Sequence, residues 1–244
     1  MAQEFAEGKD VIDLACGEGY GSALIAKKAR TVVGVDNAPE VISAARGKYR
    51  ETNLKFENAS VTSLPFGDHT IDLVVSFETI EHVDDHEGMM EEIKRVLRPA
   101  GMLLISSPDK QHYSDIPGHE NPFHVKELYF QEFKSLIKRY FSQVCFLSQR
   151  TVSGSLILNP GDLSEVTQYS GDYTKIAEAR PFNGVYNLAL ASDQSLPAAR
   201  SSYFDSARVI EQAISETERK LKSSWRYRVG NILLAPARWI MRRG

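Results

Sequence analysis

Cysteine is scarce in this chain: two among 244 residues, Cys16 and Cys145, set in different segments. That excludes a disulfide-stapled scaffold and fits a reducing compartment. Long apolar runs are missing too, and none approaches the ~20 residues a membrane-spanning helix requires. The opening Met-Ala-Gln-Glu-Phe-Ala-Glu is short and acidic, without the basic start and apolar centre of a signal peptide. A cytoplasmic protein is therefore expected. There is no internal repeat and no low-complexity tract. Acid is absent from one place in particular: residues 219–244 hold eight Lys or Arg and no Asp or Glu. Since the whole chain is −3, residues 1–218 carry −11. An acidic body with a basic end points to a separate target for that end.

What is present is an ordinary soluble composition, 42% hydrophobic and 25% charged, on a length that suits one α/β domain with an appendage. Short runs, mostly rich in Val, Ile or Leu, predict strands near 11–15, 31–36, 53–58, 71–76 and 102–107. Helical patterns lie between them near 20–29, 39–49 and 86–97. Pro39 marks a helix start, and Arg98-Pro-Ala-Gly101 a stop. Such alternation implies a parallel sheet with right-handed crossovers. A helix near 126–140 and a strand near 143–149 follow. Tyr186-Asn-Leu-Ala-Leu-Ala-Ser192 reads as the last strand, and residues 151–184 as an insertion.

The densest signal is Val11-Ile-Asp-Leu-Ala-Cys-Gly-Glu-Gly-Tyr-Gly21 followed by Val32-Val-Gly-Val-Asp36. An apolar strand breaks into glycines, opens a helix, and a second strand ends on a carboxylate. Glycines allow close backbone approach, a helix start offers free N–H groups, and a strand-tip carboxylate suits a ribose diol. The spacing Gly17-x-Gly19-x-Gly21 departs from the dinucleotide fingerprint G-x-G-x-x-G. Glu18 inside the loop disfavours a pyrophosphate and favours a ligand with a positive centre. The segment closely resembles the first motif of class I S-adenosylmethionine-dependent methyltransferases. That resemblance implies a Rossmann-like seven-stranded methyltransferase sheet, six strands parallel and one antiparallel, with a C-terminal helical tail. The expected organisation is residues 1–195 as the methyltransferase domain and 196–244 as a helical, basic, amphipathic tail. Residues 3–8 read as the end of a helix that closes over the cofactor, with a truncated start or a lid from elsewhere both open.

Phe56-Glu-Asn-Ala-Ser-Val-Thr-Ser-Leu-Pro-Phe66 is similar to the stretch in which this family reads adenine, with Ala59 where a glycine is usual. The resemblance thus assigns Asp13, Ala15, Gly17, Gly19, Asp36, Asn37, Ser60, Val61 and Phe77 to the cofactor. An ordinary turn with a capping serine is the plainer reading of Ser60.

At the end of the fourth strand stand Glu78, Glu81 and His82, whose i, i+3, i+4 spacing would place all three on one face of a helical turn. Two carboxylates and an imidazole suit a divalent cation, Mg²⁺ or Mn²⁺ from the oxygen ligands. E-x-x-E-H resembles the metal motif of ubiquinone-pathway and small-RNA 3′-terminal O-methyltransferases, which implies His124 as a further ligand, with His119 less well aligned. Metal binding by Glu78, Glu81, His82 and His124, a metal-free base role for His82 or His124 with Glu78 beside them, and a purely structural helix start all remain open. An acid/histidine cluster favours an oxygen acceptor, because a hydroxyl needs its proton removed.

The run Ile105-Ser-Ser-Pro-Asp109, Asn121-Pro-Phe-His124, Ser148-Gln-Arg150 and Gly154-Ser155, closed by Tyr186-Asn-Leu-Ala-Leu-Ala-Ser-Asp193, resembles bacterial methyltransferases linked to polysaccharide and lipopolysaccharide biosynthesis, over about residues 5–195. The resulting expectation is O-methylation of a glycan or lipid-linked sugar hydroxyl. A quinone-like phenol or an RNA 3′-end as acceptor, and a non-catalytic cofactor-binding scaffold, are the rivals. A helical pattern over 203–222 precedes a segment mixing Trp and Leu with arginines. It suits an anionic inner-membrane surface or a protein partner, whereas nucleic acid would meet a body of −11.

Overall fold

The predicted central strands near 11–15, 71–76 and 102–107 are apolar on both faces, which suits a sheet covered by helices on each side. The computed structural model describes residues 1–152, 169–171, 176–178, 184–202 and 207–225. Within them the chain runs α1 (Ala2–Phe5), β1 (Asp10–Leu14), α2 (Tyr20–Ala26), β2 (Thr31–Asp36), α3 (Pro39–Lys48), β3 (Leu54–Asn58) and β4 (Ile71–Ser76). It continues through a 3₁₀ turn (Ile80–His82), α4 (His86–Val96), β5 (Leu97–Pro108), a π turn (Gln111–Asp115), α5 (Phe130–Tyr140) and β6 (Gln143–Gln149). A short ladder of β7 (Tyr169–Gly171) and β8 (Ile176–Glu178), then β9 (Tyr186–Ser192) and α6 (Ala207–Ser223), complete it. The large sheet has the order β3-β2-β1-β4-β5-β9-β6. Only β9 is antiparallel, to both β5 and β6. That is the expected seven-stranded arrangement.

Strand alternation sorts the core into two layers. Ile12, Leu14, Val74, Leu103 and Ile105 face Met89, Met90 and Ile93 of α4 and Phe133 and Ile137 of α5. Val11, Leu73, Val75 and Leu104 face Phe5, Ile25 and Ala26 on the other side. Burying each large side chain contributes about 1.5–3 kcal/mol. Asp85 starts α4, accepting the Gly88 N–H at 2.9 Å. Glu132 holds the start of α5 by accepting the Tyr129 N–H at 3.0 Å.

Three boundaries differ from expectation. The Arg98-Pro-Ala-Gly101 stop does end α4, but the chain passes straight into β5 at Leu97, with a register shift opposite Ile71 and Leu73. The helix expected near 126 begins only at Phe130, because Val125 and Lys126 donate their N–H groups to the Glu81 carbonyl. The start of the chain is a four-residue helix whose Phe5 packs beside Ile25 and Ala26.

Contacts divide the chain into Met1–Ala199 and Arg200–Gly244. In the second unit α6 carries the i, i+4 ion pairs Glu216–Lys220 and Glu218–Lys222. No helix among the described residues is long and apolar enough to cross a membrane. The arginine-rich stretch expected to meet a surface, 226–244, and most of the insertion lie outside the described residues.

Candidate active site

The sheet order reverses between β1 and β4, the position at which open α/β sheets collect ligands beyond their carboxyl ends. Three residues of the loop after β1 have positive φ: Ala15 at 52°, Gly17 at 53° and Gly19 at 82°. A Cβ on Gly17 would meet nothing within 4 Å, so this backbone lines open space. The loop is tied to β2, with the Gly17 N–H donating to Asp36 Oδ2 and the Ala38 N–H to Oδ1, both at 3.0 Å. Each carboxylate oxygen keeps a further lone pair for a diol. Behind the loop, Asp13 is buried and accepts the Ser22 hydroxyl at 2.6 Å. Burial pushes its carboxyl up to about 6. Packing here is tight: a Cβ on Gly34 would lie 2.7 Å from the Phe56 ring, 2.8 Å from Ser22 Oγ and 2.9 Å from Cys16 Sγ.

The acidic character expected of the loop does not come from Glu18, whose exposed side chain pairs with Lys48 at 3.4 Å. Asn37 and Ser60 are exposed, Val61 is half-buried, and Phe77 is 40% exposed at the end of β4. Ser60 Oγ accepts the Thr62 N–H at 3.2 Å, so the plainer turn geometry is present.

The acceptor-side cluster is arranged differently from a single helical face. Glu78 has φ of +50° and precedes the 3₁₀ turn rather than joining it. Its N–H donates to Ser106 Oγ at 2.9 Å, and its carboxylate accepts that hydroxyl at 2.6 Å. Desolvation raises its pKa. Glu81 is 1% exposed, and Oε2 has no hydrogen-bond partner among the described residues. Burial, with Glu78 and Glu127 nearby, pushes its carboxyl up to about 8.

His82 Nδ1 lies 2.8 Å from the Phe123 carbonyl. A carbonyl only accepts, so Nδ1 carries the proton and Nε2 presents a lone pair. His124 lies edge-on to His82, ring centroids 5.0 Å apart. Its Nδ1–H donates to Glu127 at 2.5 Å, and its Nε2 accepts from the Asn121 amide at 2.9 Å. Ligand atoms of Glu81, His82 and His124 all lie within 4.8 Å of one another. Glu78 is not in that set. His119 is not in it either, and packs on Tyr113.

Several residues of this region escaped sequence reasoning. Ser106 anchors Glu78 from 28 residues away, Glu127 and Asn121 orient His124, and Tyr113 stacks between His124 and Tyr186. Glu127, three residues after His124, was the one with a local signal.

Residues 12–105 match the family described as "Methyltransferase domain". A probable S-adenosylmethionine-dependent methyltransferase of Mycolicibacterium smegmatis is 39% identical over 134 residues, 54% of this chain and 51% of that protein. A protein of like description from Mycobacterium tuberculosis is 39% identical over 132 residues, 53% of this chain and 47% of that protein. The chain therefore spans about half the length of the curated relatives it matches. A methyltransferase structure from Thermotoga maritima covers 79% of this chain and 87% of its own at 17% identity, TM-score 0.55, and shares the fold. Over residues 12–105 the chain is thus similar to a methyltransferase domain, and its sheet shares the fold of a solved methyltransferase.

Proposed function

We propose that the protein transfers the methyl group of S-adenosylmethionine to a hydroxyl of a glycan or lipid-linked sugar. The observation that carries this reading is the His82 tautomer. With Nδ1–H held by the Phe123 carbonyl, Nε2 is a lone pair at the carboxyl end of β4, beside the buried Glu81. Methyl transfer is an in-line displacement at sulfur's methyl carbon, so positioning dominates. A sugar hydroxyl also has to lose its proton as its oxygen attacks. His82 Nε2 takes that proton, and the carbon–sulfur bond breaks to leave the thioether. An amine or thiol acceptor would need less help from such a base. The resemblance to polysaccharide-linked enzymes supports the sugar. In this reading the basic stretch 226–244 meets an anionic inner-membrane surface where a lipid-linked acceptor resides.

Glu81, His82 and His124 would hold a divalent cation, and the unpartnered buried Glu81 Oε2 fits one. Such an ion, when bound, lowers the pKa of a coordinated hydroxyl. Two imidazoles and one carboxylate are richer in nitrogen than the oxygen shell Mg²⁺ prefers. Cation binding there also requires His124 Nε2 to give up the Asn121 amide.

The test is turnover of labelled S-adenosylmethionine by the purified chain on bacterial glycan and glycolipid fractions, with and without EDTA. Replacing His82 with Gln is expected to lower kcat by about 10²–10⁴-fold. Undiminished turnover in that variant, or label on an amine, would overturn the assignment. Loss of turnover in EDTA, restored by one added metal, would favour the cation version.

A further inference from the structure

A second cavity, of about 290 Å³, lies under the start of α5 and is lined by Asp109, His112, Tyr129, Phe130, Gln131 and Asn187. Methyl transfer as described uses none of them. Adjacent residues of a strand point to opposite faces. Tyr186, whose ring packs on Tyr113 beside His124, and Asn187 therefore belong to different sides of the sheet. Asn187 sits between Ser107 of β5 and Ser148 of β6, its direct partners in register. A polar row thus crosses three strands where the rest of that layer is Ala189, Phe133 and Ile137.

This row is built for a ligand rather than for packing. Asn187 is 4% exposed, yet its Nδ2 has no partner among the described residues. An orphaned buried donor costs stability that a bound acceptor would restore. Asp109 is 5% exposed and accepts the Phe130 N–H at 3.1 Å through Oδ1. Its Oδ2 accepts the His112 Nδ1–H, so in the neutral ring Nε2 is the acceptor of His112. One donor and one acceptor lining the same cavity read a hydroxyl, which both accepts and donates. A fully ionised phosphate or a carboxylate only accepts, and would leave the His112 acceptor without a donor. Tyr129 and Phe130 add aromatic wall. The volume is near the lower end of the ~300–1,000 Å³ of small-molecule sites, enough for one ring.

We propose that this cavity binds a single pyranose ring of the acceptor glycan, with Asn187 donating to one ring hydroxyl and His112 accepting from it or its neighbour. The inference rests on the glycan reading above and adds a specificity subsite to it. The chain leaves the sheet after Gln149 and rejoins it at Val185, so Ser148 and Gly184 form the rim.

Saturation-transfer NMR on the full chain with free glucose, galactose, mannose, rhamnose and fucose reads binding without turnover. At least one pyranose is expected to bind. Asn187→Asp, which keeps the shape and removes the donor, should weaken it about tenfold or more. His112→Phe should do the same, with unaltered melting curves confirming the fold, while His82→Gln leaves binding unchanged. Wild-type binding in both cavity variants would overturn the subsite and leave glycan methylation standing. Binding lost only in His82→Gln would move the ring to the methyl-transfer cluster and overturn it equally. No binding by any of the five sugars overturns the subsite, while the turnover assay decides glycan methylation separately.

Discussion

Two glycines of the proposed cofactor region do opposite work. Gly34 has neighbours on three sides, and an alanine there drives its methyl into Phe56, Ser22 and Cys16. Overpacking of that kind costs typically about 1–3 kcal/mol, so Gly34→Ala should lower the denaturation midpoint measurably. Gly17 has φ of +53° and open space before it. Its alanine variant costs only about 1–2 kcal/mol of backbone strain but pushes a methyl into the cradle. Calorimetry should show Gly17→Ala losing S-adenosylmethionine affinity out of proportion to its stability. Equal affinity in that variant and the wild type would remove this loop from the cofactor site. Asp13 is a further test. Its folded pKa of about 6 lies above the ordinary 3.8 because burial disfavours the charge. A raised carboxyl binds its proton more tightly when folded, so stability falls as pH rises from about 4 to about 6. The penalty at neutral pH is at most about 3 kcal/mol. Asp13→Asn, which carries no such charge, should gain on the wild type in melting temperature between pH 4 and 7.

At the level of elements, α4 and α5 cover one face of the sheet, and the start of α5 lines the cavity. Phe133 is fully buried against this layer. Phe133→Ala should cost about 3–5 kcal/mol in denaturant unfolding. Hydrophobic period and punctuation made the strands and most helices legible, since burial on two faces writes itself into Val, Ile and Leu runs. The segment after β4 was not legible in the same way. Spacing of three and four suggested one helical face for Glu78, Glu81 and His82. In the fold, β4 ends with Glu78 in the left-handed region, held by Ser106 from the neighbouring strand. No local pattern in residues 77–83 announces a partner 28 residues on. The same applies to His82, whose tautomer is set by a carbonyl 41 residues away.

Across the whole molecule, charge is segregated between the two ends of the sheet. At its amino-terminal edge Arg30 and Arg98 bracket Asp10 and Asp72. The hydrogen bonds from Arg30 hold the Asp10 carboxyl well below the usual range. A depressed carboxyl contributes stability above its unfolded pKa and loses it as the medium is acidified. Both arginines are more than a third exposed, so screening limits the gain. Arg98→Ala should therefore lower the melting temperature only slightly at low salt, and less in 1 M NaCl. A larger, salt-independent loss would mean that packing by its side chain, rather than the ion pairs, dominates. At the carboxyl edge acids and imidazoles gather instead: Glu78 held by Ser106, His124 by Glu127, and Glu81 with Oε2 unpartnered among the described residues.

Residue order alone determined the βαβ start, the Asp36 terminus, the strand succession and hence the sheet class, because each depends on neighbours a few positions apart. The tertiary structure alone decided that Glu18 turns outward, that Glu78 stands apart from Glu81, His82 and His124, and that Asn187 is buried without a partner. Those outcomes depend on which distant atoms occupy the adjoining strand or loop, and periodicity carries no record of them.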